Sequence, residues 1–176
     1  MMSKIFPLVL GWRIPSNVLA DSFAEMKKDG LRGNEGIVFW LGRNNSGQAE
    51  VTHLVSLRGK GVSRGPVNIR IDSSVINDVT DVAMELDVVL IGQIHSHGHG
   101  FGTDLSYSDR NYGFAISDYL SIVAPDYALK KSTSLSRCGI FVFDRHYGYR
   151  PIGKIEIKQR IKVVPGFNPA KLIIRK

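Results

Sequence analysis

A chain of 176 residues with 43% hydrophobic and 9% aromatic side chains can build a real core as one domain, and it leaves no comfortable room for a second. The single cysteine, Cys138, excludes an intramolecular disulfide framework and suits a reducing compartment. The formal charge of +7 belongs to one end: residues 150–176 hold eight Lys/Arg against one acidic residue, whereas residues 1–149 hold 15 of each sign.

The apolar run from Ile5 to Trp12 follows Lys4, but it is short, contains Pro7, is closed by Arg13 and lacks the small-residue pattern of a cleavage site. No apolar stretch has the length needed to span a bilayer. The expectation is a soluble, cytoplasmic protein. Pro15 and Ser16 open a predicted helix to about Lys28, with Leu19, Phe23 and Met26 on one stripe and Gly30 as its stop. Ile37 to Leu41 and Val51 to Leu57 read as strands, joined by a hairpin-like turn over Arg43 to Gly47. His53, in the second strand, is expected to be structural or exposed.

Arg58 to Pro66 is glycine-rich and basic but lacks a complete phosphate-binding pattern, so it reads as a flexible surface loop. From Ser73 or Ser74, the stripe of Val75, Ile76, Val79, Val82, Ala83 and Leu86 predicts a helix lying against a sheet. Val88 to Ile94 predicts a buried strand ending at His95. A helix over Ser106 to Ser117 and strands over Tyr119 to Ala124 and Gly139 to Asp144 follow, with a polar loop from Pro125 to Arg137. Cys138, just before an apolar run, reads as a buried structural thiol. In the basic end, Ile155, Ile157, Ile161 and Val163 alternate with charged residues and predict a strand with one basic face, which protects an edge or meets an acidic partner. The order of elements predicts an α/β domain with a mixed or mainly antiparallel sheet flanked by helices.

The chemistry concentrates in two runs, His95-Ser96-His97 and Ser106-Tyr107-Ser108-Asp109. On a strand the two-residue spacing points both imidazoles to one side. Imidazole and carboxylate are zinc ligands, and three protein ligands leave a fourth tetrahedral position open. Moving a proton needs a base as well, and Glu35, at the mouth of the apolar run to Gly42, is the candidate. Two other readings stand beside this one. Ser106 with Asp109 also fits a helix N-cap with an acidic residue at N3, and His99 with nearby Asp104 offers a rival ligand set of His95, His97 and His99.

A distant Glu, then His-x-His, then Ser-x-x-Asp resembles the JAB/MPN (JAMM) metalloprotease family over roughly Pro15 to Gly148. Gly98 stands where the family usually has proline, and the spacer from His97 to Ser106 is one residue longer than is common. The resemblance implies that His95, His97 and Asp109 hold Zn2+, that Glu35 is the general base, and that Ser106 steadies the tetrahedral intermediate. It implies hydrolysis of a peptide or isopeptide bond after the C-terminal tail of a ubiquitin-like protein. The loops around the groove, here Arg58 to Pro66, would contact that tail. A stand-alone chain of this size looks most like prokaryotic members that accompany ubiquitin-like proteins and E1/E2-like conjugation enzymes, antiviral systems included. Two alternatives come from other classes: a catalytically silent MPN-type scaffold, and a basic nucleic-acid-binding protein motivated by the C-terminal charge.

Overall fold

The computed structural model describes residues 8–131, 134–166 and 170–175. In chain order the elements are β1 (Gly11–Pro15), α1 (Ser16–Gly30), β2 (Ile37–Asn45), β3 (Gln48–Arg58), β4 (Val62–Arg64), β5 (Ile69–Ile71), α2 (Ser73–Glu85), β6 (Val89–Ser96), α3 (Tyr107–Tyr112), β7 (Leu120–Ala124), β8 (Gly139–Asp144), β9 (Gly148–Pro151), α4 (Lys154–Arg160), β10 (Ile161–Val164) and β11 (Ala170–Arg175). Among the described residues nine strands form one sheet in the order β10-β1-β3-β2-β6-β7-β8-β9, with β11 also beside β3, while β4 and β5 pair separately. The sheet is mixed. β2 runs antiparallel to β3 and β6, β6 runs parallel to β7, and β1 runs parallel to both β3 and β10.

Period-two alternation explains how one sheet carries a core on each face. Val38 and Trp40 join Ile94 and Met26 on the α1 side, whereas Ile37, Phe39 and Leu41 meet Val75, Val79 and Ala83 of α2 on the other. The buried Trp40 indole donates to Ser22 Oγ at 2.9 Å, which fixes α1 on the sheet. No described helix is long and apolar enough to cross a membrane.

Several elements differ from the sequence expectation. β2 and β3 extend further, to a two-residue turn at Ser46 (φ 51°) and Gly47 (φ 88°), the pair of left-handed residues that a tight hairpin demands. The supposed loop after Arg58 contains β4, which pairs with β5 as a hairpin. α3 is capped by Ser106 and ends at Tyr112; Gly113 turns extended where a Cβ would meet the Asp109 carbonyl at 2.4 Å, and Phe114 then packs onto Phe39.

The largest correction is the basic C-terminal strand. Residues 154–160 are helix α4, and only Ile161–Val164 is strand. Ile157 and Ile161 fit a helical i, i+4 spacing as well as an alternation, and both pack into the core. Glu156 pairs with Arg160 one turn on and with Arg150, which favours the helix. β1 and β11 were not foreseen. The early part of the apolar N-terminal run, residues 5–7, lies outside the described residues.

Candidate metal centre

The end of β6 is pinned on both sides by main-chain bonds. Ser96 N–H donates to the Gly36 carbonyl at 2.9 Å, and His97 N–H donates to the Ala124 carbonyl at 2.9 Å. Antiparallel register pairs Ile37 with His95. Glu35, two residues before Ile37, lines the same cleft as His95 and His97. Gln93, His95 and His97 therefore project to one side, together with Glu35, Ile37 and Phe39. Ser96 points to the other side, where its Oγ accepts from the Gly36 N–H at 2.9 Å.

Asp109 comes to the histidines from α3. Its carboxylate lies 3.4 Å from His95 Nε2 and 3.2 Å from His97 Nε2, and the two Nε2 atoms are 3.3 Å apart. Two ligands of a tetrahedral zinc, each ~2.05 Å from the metal, stand ~3.3 Å apart. The three donors, all within 4.8 Å of one another, thus have the spacing of zinc ligands. Both Nδ1 atoms are buried without a hydrogen-bond partner of ordinary geometry. The donor set fits the metal that the sequence implied.

Ser106 and Asp109 also form a capping box. Ser106 Oγ accepts from the Asp109 N–H at 3.2 Å, and Asp109 Oδ2 accepts from the Ser106 N–H at 2.8 Å. The cap reading is realised, and the box turns the carboxylate toward the histidines. The Ser106 hydroxyl oxygen accepts the cap bond, so its proton is left for a group in the cleft. His99 is elsewhere: it is exposed, and its Nδ1 meets Asp126 Oδ1 at 3.2 Å. The cluster contains Asp109 and not His99.

Glu35 is 6% exposed. Its N–H donates to the Gly65 carbonyl at 2.9 Å, and its carboxylate takes a backbone hydrogen bond from Gly98. Burial raises its pKa above the ordinary glutamate value, with the two histidines and the Gly98 bond pulling the other way. For Asp109 burial also acts upward, but hydrogen bonds from His95, His97 and Ser106 outweigh it and hold the carboxyl well below the usual range. Burial alone would lower His97, and bonding to Asp109 reverses that and raises it.

These groups lie at one end of a cleft of about 940 Å³ whose floor is β2 and β6. The β4–β5 hairpin supplies one wall through Ile69 and Ile71, and α3 supplies the other, ending in Phe114. Exposed Phe101 and Tyr112 stand at its rim. Sequence reasoning did not foresee Gln93, which lines the cleft and is held by Tyr119 Oη at 3.3 Å and by its own bond to Ser121 Oγ at 3.4 Å. The His-x-His spacing carries over to it, since it lies a further two residues back on the same face. Cys138 is away from the centre, and burial pushes its thiol up to about 12, which leaves it unreactive.

The segment after β7 was also missed. Asp126, Tyr127 and Ala128 have φ of 53°, 56° and 57°, three successive left-handed residues without a glycine. Such a residue costs about 1–2 kcal/mol.

No family model matches the chain, nor does the sequence of any curated protein. Solved structures do share its fold. The solution structure of protein DSY2949 from Desulfitobacterium hafniense is 14% identical with a TM-score of 0.65, the match covering 89% of this chain and 95% of that one. A solution structure from Salinibacter ruber is 13% identical with a TM-score of 0.54, covering 90% of this chain and 94% of that one. At these identities the likeness is one of fold.

Proposed function

We propose that this chain is a zinc-dependent metalloprotease of the JAB/MPN type that hydrolyses a peptide or isopeptide bond after the C-terminal tail of a ubiquitin-like protein. The observation that carries the reading is the convergence of His95, His97 and Asp109 at the spacing of zinc ligands, with Glu35 in the same cleft. His95 and His97 would hold the ion through Nε2 and Asp109 through its carboxylate. A bound zinc ion supplies Lewis acidity to the scissile carbonyl and to the attacking water.

Glu35 takes the proton from that water and delivers it to the leaving amine. Its partial burial suits this work, because a carboxylate with a raised pKa holds a proton long enough to pass it on. Ser106 donates its hydroxyl proton to the oxygen on which negative charge develops. The capping box keeps that hydroxyl and the Asp109 carboxylate on one rigid turn. In this reading the substrate tail lies in the cleft beside these groups, with the β4–β5 hairpin as one bank. The setting we assign is the cytoplasm, among E1/E2-like conjugation enzymes.

An intact donor set weighs against a silent scaffold. A nucleic-acid role is disfavoured by Arg150 and Arg160, which are engaged with Glu156. The test is the purified protein on a ubiquitin-like domain fused through its tail to a reporter, with and without a chelator. Cleavage that stops with the chelator and returns with zinc supports the reading, and a zinc-loaded protein that leaves linear and isopeptide-linked fusions intact defeats it.

A further inference from the structure

Within the left-handed turn at Asp126 to Ala128, Tyr127 makes contacts that reach the ligand strand and the β4–β5 turn. Tyr127 N–H donates to the His97 carbonyl at 2.7 Å, and its Oη donates to the Pro66 carbonyl at 3.0 Å. The phenol also fills the space beside Gly98, where a Cβ would come within 2.7 Å of the hydroxyl oxygen. On its far side the Tyr127 carbonyl lies against Gly30, where a Cβ would meet it at 2.5 Å, so α1 backs the turn.

Glu35 is gripped at two points, its N–H by the Gly65 carbonyl and its carboxylate by the Gly98 N–H. Tyr127 touches the residue after the first point, Pro66, and Gly98 itself. The β4–β5 turn and the end of the ligand strand have no covalent link across more than thirty residues, and this phenol bridges them.

We propose that Tyr127 is a positioning residue that holds the carboxylate of Glu35 in place for proton transfer by bracing Pro66 against Gly98. The inference rests on the reading of Glu35 as the general base. It accounts for three left-handed residues in a row, a conformation that persists where the surroundings over-determine it. It also gives Gly98 a reason to be glycine.

Tyr127→Phe keeps the ring and removes the bond to Pro66. In the zinc-loaded full chain, acting on a quenched-fluorescence peptide with one glycyl-lysine isopeptide bond, kcat should fall about 10-fold with KM within about twofold, since loosening a catalytic group costs turnover. Zinc content should not change. In a Glu35→Gln background the same substitution should cost less than about twofold, because a residue acting through Glu35 has nothing left to position. Equal losses in both backgrounds, or a change confined to KM, would overturn the proposal.

A second readout needs no turnover. The Gly98 and Glu35 amides should exchange with solvent about 10-fold faster in Tyr127→Phe, while that of Val55, in the sheet interior, keeps its rate. If the parent cleaves nothing, the proposed activity fails and this exchange still decides the bracing; unchanged exchange would sink it. Should Tyr127→Phe fail to fold, Gly98→Ala serves instead, its methyl displacing the phenol and reproducing the faster Glu35 exchange.

Discussion

At the scale of single residues, the centre depends on two side chains separated by one residue on a strand that stops where the core meets solvent. His95 and His97 are 3% and 6% exposed, and the Asp109 carboxylate lies within 3.4 Å of both Nε2 atoms. On the proposed reading the parent should hold roughly one zinc per chain, and Asp109→Ala should lose most of it. His99→Ala should keep it, since His99 faces Asp126. Elemental analysis after gel filtration decides, and retention by the Asp109 variant with loss by the His99 variant would move the third ligand. Glu35→Gln keeps the shape and loses the base, so turnover should fall about 100-fold or more with zinc still bound; near-normal cleavage by that variant would remove Glu35 from the chemistry. His95 and His97 could be read from side-chain type and a two-residue period, whereas Glu35, Ser106 and Asp109 were singled out by the order in which the resemblance sets them; the structure brings all five to one cleft. Tyr127 and Gln93 could not be read in the same way. What matters about Tyr127 is a main-chain bond to His97 and a carbonyl 61 residues away, and sequence spacing does not encode such contacts.

At the scale of elements, legibility followed the strength of the periodic pattern. α2 and β6 lie close to where their apolar stripes place them, because each buries a face that no other arrangement satisfies. Lys154 to Val163 satisfies both periods, and salt bridges to Glu156 decide for a helix over Lys154–Arg160, after which Ile161–Val164 is strand. β11 is held by partners no local pattern could reveal. Its Lys171 meets the nearly buried Glu25 of α1, which also takes Arg58 of β3 and Ser56 Oγ, while Asp29 takes Arg58 and Arg64. Burial alone would raise Glu25, but Lys171, Lys28 and Ser56 outweigh it and bring the carboxyl down to about 2 from an ordinary 4.5. A folded-state pKa below the unfolded one stabilises above the unfolded value, and that contribution drains away as pH falls from about 4.5 to about 2. Glu25→Gln should then be about 2–3 kcal/mol less stable at pH 7. The gap from the parent should close across that acid window. Urea titrations at pH 7, 4.5 and 3 test this, and a gap that stays constant with pH would show that the cluster acts through shape and not through charge.

At the scale of the whole molecule, the sheet order separates the lysines of α4 and β10 from the candidate centre. The basic C-terminal segment supplies β11 beside β3, but its α4 and β10, which carry Lys154, Lys158 and Lys162, lie at the far edge, with β1 and β3 between β10 and β2. At ~4.8 Å per strand, β10 stands ~14 Å from β2 and ~19 Å from β6, beyond the ~10 Å over which exposed charges act in 0.1 M salt. The basic residues are not equivalent. Arg160 donates to the Val9 and Leu10 carbonyls and stacks 4.7 Å above the Trp12 ring, so it belongs to the packing of β1 and α4. Lys154, Lys158 and Lys162 are exposed. Replacing those three with Gln should leave zinc content and cleavage of a short peptide unchanged, whereas Arg160→Gln should lower the melting temperature. If the lysines receive an acidic surface of the full substrate, the triple variant should associate more slowly with a ubiquitin-like conjugate at low salt, and the difference should vanish as salt rises. Stopped-flow association at 20 and 500 mM salt, values chosen to give Debye lengths of about 20 and 4 Å, separates the cases. Equal rates at low salt would leave the lysines a single role, keeping an exposed sheet edge from pairing with other chains, and a loss of short-peptide cleavage in a folded triple variant would extend the active site to a part of the sheet that its strand order places out of reach.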